Sequence, residues 1–224
     1  METALTAPQI FRRSGRAAWG LILFGFGDFL TVRAGIGLAP WDVFSMGLSQ
    51  YLPLTFGMTC ILISLIIVGI DLLLKESIGI GTVLDAILVG LTMDICALLD
   101  VIPTPGTVWG GLALMTVGMF IMSYSQYLYM SAQLCCGPRD SLLVAIGKRL
   151  RRVPIGGVEV LILIVVLGIG YILGGPVGIG TLWSTLGLGV VMQLTFRLIS
   201  FEPRDMRHVG FLQLFPRRPK TVPS

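Results

Sequence analysis

The run Gly79-Ile80-Gly81-Thr82 returns as Gly178-Ile179-Gly180-Thr181, at an offset of 99 residues. The same offset pairs Gly57, Leu62, Ile63, Gly69, Ile70 and Leu74 with Gly156, Leu161, Ile162, Gly168, Ile169 and Leu173, and then Gly90 and Met93 with Gly189 and Met192. Upstream, an offset of 98 pairs Gly20, Leu30, Ala34, Pro40 and Asp42 with Gly118, Leu128, Ala132, Pro138 and Asp140. Matches of Leu and Ile carry little weight in an apolar chain. The four-residue run and the Pro-x-Asp pair, at corresponding places in each half, are hard to obtain by chance, and the chain reads as a duplication.

What is duplicated is apolar. Of 224 residues, 54% are hydrophobic and 12% charged, where a soluble domain carries about 25% charged residues. Lipid is the solvent that suits such a chain. Six stretches have the length of about 20 residues that a spanning helix needs: 17–36, 56–74, 79–99, 109–132, 156–175 and 179–199. Two shorter ones, 41–52 and 139–150, each follow a proline and are too short to span. The expected fold is all-α: a polytopic bundle of six transmembrane helices with two short post-proline helices. Its parts are a basic cytoplasmic segment 1–16, repeat 1 over 17–99, an extracytoplasmic link 100–108, repeat 2 over 109–199 and a basic cytoplasmic tail 200–224. Three spans per half is an odd number, so the two copies are expected to enter the membrane in opposite orientations.

The basic residues set the orientation. With both ends in the cytoplasm, 15 of the 16 Lys and Arg residues fall inside and only Arg33 falls outside, as the positive-inside rule asks. The net charge of +4 therefore points to the bilayer rather than to nucleic acid. The loop 148–152 and the tail residues Arg204, Arg207, Arg217, Arg218 and Lys220 are expected to meet anionic headgroups. Arg12, Arg13 and Arg16 before an apolar run resemble a signal peptide, but Asp28 interrupts that run and no clean cleavage site follows. A retained first helix is the better reading. Cys60, Cys96, Cys135 and Cys136 form no CxxC pair, and His208 is the one histidine. No metal site, cofactor, disulfide framework or catalytic constellation is expected, and the chain does not read as an enzyme.

The candidate functional residues are the polar ones in apolar surroundings. Asp42 and Asp140 follow Pro40 and Pro138 by two residues. They either cap short helices or line a substrate or ion path where those helices re-enter the membrane. Asp28, Asp85 and Asp94 lie inside spans, where a carboxylate is costly and seeks partners or a proton. By position Asp28 and Asp85 are the deeper pair. Their counterparts in the other half are Gln126 and Ser184, so polarity persists while charge is confined to the first half. Gln126 also sits among Tyr124, Tyr127 and Tyr129. Arg33 is expected to snorkel, to pair with Asp28 or Asp42 as an outer gate, or to contact an anion on the outer side. The Gly79, Gly81, Thr82 and Gly178, Gly180, Thr181 runs read as helix starts, glycine allowing close approach and threonine capping.

The stretch Ala34-Gly-Ile-Gly-Leu-Ala-Pro-Trp-Asp42, with Gly47-Leu48 and the later Gly79-Ile-Gly-Thr82, resembles the YczE/YyaS/YitT family of bacterial membrane proteins over about residues 15–200. The second half reads Pro138-Arg139-Asp140, with arginine in place of Trp41. The resemblance implies a multi-pass protein of the bacterial plasma membrane and assigns no catalytic residues. Inverted repeats recur in secondary transporters, where two equivalent half-gates give alternating access. The expected function is therefore small-molecule or ion transport. The alternative is a non-transporting accessory or regulatory protein that assists another membrane-associated system. Oligomeric state is left open.

Overall fold

A computed structural model describes residues 7–76, 78–100, 102–134, 137–150, 152–153 and 155–201. Cys135, Cys136, Arg151, His208 and the basic residues of the tail from Arg204 to Lys220 lie outside the described residues. The described residues form eight helices: α1 (Ala7–Arg33), α2 (Pro40–Ser49), α3 (Phe56–Leu73), α4 (Ile80–Leu99), α5 (Val108–Met130), α6 (Pro138–Arg149), α7 (Ile155–Ile172) and α8 (Ile179–Leu198).

The helix starts follow from local chemistry. Pro40 and Pro138 open α2 and α6, where a missing N–H costs nothing and the fixed φ already suits a helix. Thr55 and Thr107 accept the N–H groups of Met58 and Gly110 at the heads of α3 and α5. At α4 and α8 the bond runs the other way round. Thr82 Oγ1 accepts from the Gly79 N–H at 3.3 Å and Thr181 Oγ1 from the Gly178 N–H at 3.1 Å.

Four helices, α3, α4, α5 and α8, are long and apolar enough to cross a membrane, and α7 is a shorter apolar helix. Large apolar side chains such as Leu73 on α3, Ile164 and Ile172 on α7, and Leu182 and Leu186 on α8 are exposed, an arrangement that suits lipid. Helix α1 differs from the sequence expectation. It begins at Ala7, ten residues before the expected span, and carries Arg12, Arg13 and Arg16 within it. Basic residues mark a membrane boundary but do not stop a helix. Here Arg13 donates to Gln133 Oε1 at 3.2 Å, and Arg16 donates to the Tyr127 hydroxyl at 3.3 Å, fastening this extension to the end of α5.

Helix α1 packs along α5 and α4, and α5 packs on α8. Close approach of α1 and α5 depends on glycine: a Cβ on Gly118 would lie 2.6 Å from the Gly27 carbonyl oxygen. Short helix α2 lies against α7 and α3, while α6 lies against α3 and α7. Each short helix thus packs on a long helix of the other half. Two backbone bonds repeat this exchange. The Gly81 N–H donates to the Leu134 carbonyl at 2.9 Å, and the Gly180 N–H donates to the Ile36 carbonyl at 2.9 Å.

One contact has no counterpart. Helices α3 and α4 cross at Gly57 and Gly90, where a Cβ on Gly57 would lie 2.1 Å from the Gly90 carbonyl oxygen. The corresponding Gly156 and Gly189 have nothing within 4 Å of an added Cβ, and α7 and α8 share no comparable packing.

Candidate functional site

The two short helices bring their first turns together. Ala39 is extended (φ −63°, ψ 153°), as the residue before a proline should be. It delivers Trp41 and Asp42 on the first turn of α2. Asp42 is 2% exposed and its carboxyl adjoins that of Asp28 on α1, within hydrogen-bonding reach. Thr31 steadies Asp28, its hydroxyl donating to the Asp28 carbonyl at 2.9 Å. Ser45 and the Cys60 thiol of α3 border the same spot. One oxygen of Asp42, Oδ1, is buried with no hydrogen-bond partner.

From the other half, Gly137 and Pro138 present Arg139 and Asp140. The Arg139 guanidinium lies over the Trp41 ring, 5.0 Å from its centroid. From there it acts electrostatically on Asp28, Asp42, Asp85 and Asp140. It makes no direct ion pair with any of them; the ion pairs among the described residues are Arg33–Asp100 and Lys148–Glu76. Asp85, from α4, reaches Gly137 so closely that a Cβ there would meet its Oδ2 at 2.8 Å. A side chain at that point would push the Asp85 carboxylate aside. The Asp140 carboxylate lies beside the Gly137 backbone at the head of its own helix. Asp42 turns to Asp28 instead, and no side chain caps α2.

Four of the expected site residues, Asp28, Asp42, Asp85 and Asp140, therefore lie within electrostatic reach of one guanidinium. Gln126 is half-buried on α5. Arg33 stands apart, and its expected partner is corrected. It pairs with neither Asp28 nor Asp42 but with Asp100, and its Nε donates to the Ile102 carbonyl at 2.7 Å. It borders a cavity of about 270 Å³ lined also by Phe29, Met46, Phe56, Met93 and Asp94. Asp94 accepts the Gly57 and Met58 N–H groups at 2.8 and 3.1 Å and the Thr55 hydroxyl, so it caps α3 from α4.

Two residues were missed from the sequence. Arg139 was counted with the cytoplasmic basic residues, yet it is half-buried against Trp41. The signal was available: Trp41 and Arg139 hold the same place in the two Pro-x-Asp motifs. Asp71, near the end of α3, is fully buried with neither carboxylate oxygen partnered. In sequence it looks like the polar end of an apolar run.

A model of the family of unknown function DUF6198 matches residues 11–197. The chain belongs to this family. Relatives include an uncharacterized protein of Haemophilus influenzae, 30% identical over 185 residues, covering 83% of this chain and 84% of the relative. The uncharacterized membrane protein YczE of Bacillus subtilis is 32% identical over 182 residues, covering 79% of this chain and 81% of YczE. The uncharacterized protein YyaS of the same organism is 25% identical over 185 residues, covering 80% and 90%. The resemblance to YczE and YyaS drawn from the Pro40-Trp41-Asp42 and glycine-rich motifs holds over most of the chain. No solved structure matches. This DUF6198 member, with its apolar helices, is a membrane protein.

Proposed function

We propose that this DUF6198 protein is a small-molecule or ion transporter that works by alternating access in the bacterial plasma membrane, with no enzymatic step. In this reading α1, α3, α4, α5, α7 and α8 are the six spans, forming two three-helix repeats of opposite orientation. Both termini are cytoplasmic. Helices α2 and α6 are re-entrant elements from opposite sides that meet at their first turns. The observation that carries the reading is the carboxylate cluster around Arg139. Ionisable groups inside a membrane are expensive to keep and mark substrate or ion paths. Interrupted elements meeting between two repeats are where such transporters bind their cargo.

The unmatched glycine crossing supports the same reading. One half is closed at Gly57–Gly90 while Gly156 and Gly189 stand open. Alternating access would exchange these roles, closing α7 on α8 as α3 leaves α4. The test is flux into proteoliposomes across a panel of small solutes, with imposed proton and sodium gradients. Flux that changes in Asp28→Asn, with folding intact, is the expected result. No flux from folded protein across the whole panel overturns the proposal.

The accessory reading draws on the basic residues at 148–152. Part of that charge is used within the chain: Lys148 pairs with Glu76, and Arg149 donates to the Leu74 and Ala145 carbonyls. Arg152 remains exposed, suited to headgroups or a partner. Copurification of one stoichiometric partner, lost when 148–152 is neutralised, would favour it.

A further inference from the structure

The carboxylate cluster has an excess of acid and an unmet acceptor. Asp28 and Asp42 are 4% and 2% exposed, their carboxyls adjoin, and Asp42 Oδ1 has no donor. Two buried carboxyls held side by side cannot both stay charged without compensation, and a shared proton or a positive group supplies it. Arg139 is the nearest cation, but it rests on the Trp41 ring without reaching either carboxylate for an ion pair. An aromatic face beside carboxylates is how proteins recognise guanidinium and ammonium ligands. Among the described residues no three His, Cys, Asp or Glu side chains converge on a metal position, so the pair is better matched to a hydrogen-bonding cation. A cavity nearby is lined by Phe29, next to Asp28 in the chain, and Met46, one turn beyond Asp42, and not by Asp28, Trp41 or Asp42 themselves. At about 270 Å³ it falls below the range of drug-sized ligands, roughly 300 Å³ and upward.

We propose that Asp28, Asp42 and the Trp41 ring form a binding site for a small organic cation of the guanidinium or primary-amine class, and that Arg139 occupies the aromatic part of that site as a tethered stand-in when the ligand is away. This rests on the transport reading for its purpose but not for its test. A ligand in the site would bond Asp42 Oδ1 and take over the ring face. Arg139 would be displaced toward Asp85 of α4 and Asp140 of its own helix. Ligand binding and the relation between the two short helices would then be coupled.

The experiment is equilibrium binding of radiolabelled methylguanidinium to the purified full chain in nanodiscs, at constant ionic strength. Removing the tethered competitor in Arg139→Ala should tighten binding by about tenfold, the factor expected if the stand-in fills the site roughly nine-tenths of the time. Asp42→Asn should abolish binding in both backgrounds, and Trp41→Leu should weaken it. Where Arg139→Ala does not fold, Arg139→Lys, which keeps charge but loses the planar stack, should tighten binding to a smaller degree. Unchanged or weaker affinity on replacing Arg139, wild-type affinity in Asp42→Asn, or competition by potassium as strong as by unlabelled methylguanidinium overturns the proposal. Flux is read separately. Binding in this pattern without flux leaves the site standing and removes the transport reading. Flux of other solutes without methylguanidinium binding does the reverse.

Discussion

Trp41 and Arg139 hold the same position in the two halves of the sequence, and they stack on each other, the guanidinium 5.0 Å from the ring centroid. Counterparts in a duplicated chain meet only where the halves meet. The stack also links the first turns of α2 and α6 directly. A cation–π contact between half-buried groups is worth about 1–2 kcal/mol, and Arg139 in addition offsets the nearby carboxylates. Trp41→Arg alone would set two guanidiniums against each other, and Arg139→Trp alone would leave the acids without a cation. Each should destabilise by about 2 kcal/mol or more. The double exchange restores one ring and one guanidinium at the same place. A thermal-melting double-mutant cycle should show it recovering at least half of the combined loss. Purely additive losses would mean that the stack does not couple the halves.

Asp94 gives a sharper contrast between the halves. Its carboxylate accepts two N–H groups and a hydroxyl at the head of α3, whereas its counterpart Gln193 on α8 is exposed. Asp94→Ala leaves orphan donors at a helix start and should cost about 1–3 kcal/mol. Gln193→Ala should fall within about 0.5 kcal/mol of wild type. Melting temperatures in one detergent, compared side by side, check both.

The helices were legible because the signals that make them are local. Pro40 and Pro138 announce α2 and α6, and apolar runs of spanning length mark α3, α4, α5 and α8. The start of α1 was not legible, since Arg12, Arg13 and Arg16 suggest the edge of a membrane and say nothing against helix. Within the site, a carboxylate in an apolar run is conspicuous, which is why Asp28 and Asp85 stood out. Arg139 did not, because its sequence neighbours include other basic residues and only the packing of α6 turns it inward. The partner of Arg33 was illegible for a different reason. Asp100 is 67 residues away and is aimed by a left-handed conformation (φ 44°) at the end of α4.

The glycine crossing should respond to bulk in one half only. A valine at 57 would drive its side chain into the Gly90 backbone, with the first added carbon 2.1 Å from a carbonyl oxygen, and neither backbone can yield within a packed pair of helices. Gly57→Val should fail to give a monodisperse folded protein. At the corresponding Gly156 an added carbon meets nothing within 4 Å, so Gly156→Val should fold with near wild-type stability. If α7 closes on α8 during a transport cycle, that same variant should lose flux despite its sound fold. Size-exclusion profiles and proteoliposome flux together separate the two effects. Equal damage to folding from both substitutions would show that α7 and α8 are packed together in the resting protein.

Asp71 is buried without serving anything its surroundings reveal. Both carboxylate oxygens lack a hydrogen-bond donor, its exposure is 0%, and Glu76 adds a nearby negative charge. An acid held this way is destabilising whether it stays charged or takes a proton, because neither form is satisfied. Its counterpart in the second half is Gly170, which packs against the backbone of α2 with no polar group at all. The fold therefore does not need a carboxylate at this point. Asp71→Asn keeps the shape and removes the charge, and it should raise the melting temperature, corresponding to about 1–2 kcal/mol of stabilisation. A fall in stability of that size would show instead that Asp71 holds a partner that melting in detergent has left in place, such as a bound cation, and dialysis against a chelator and then against low salt would identify which kind.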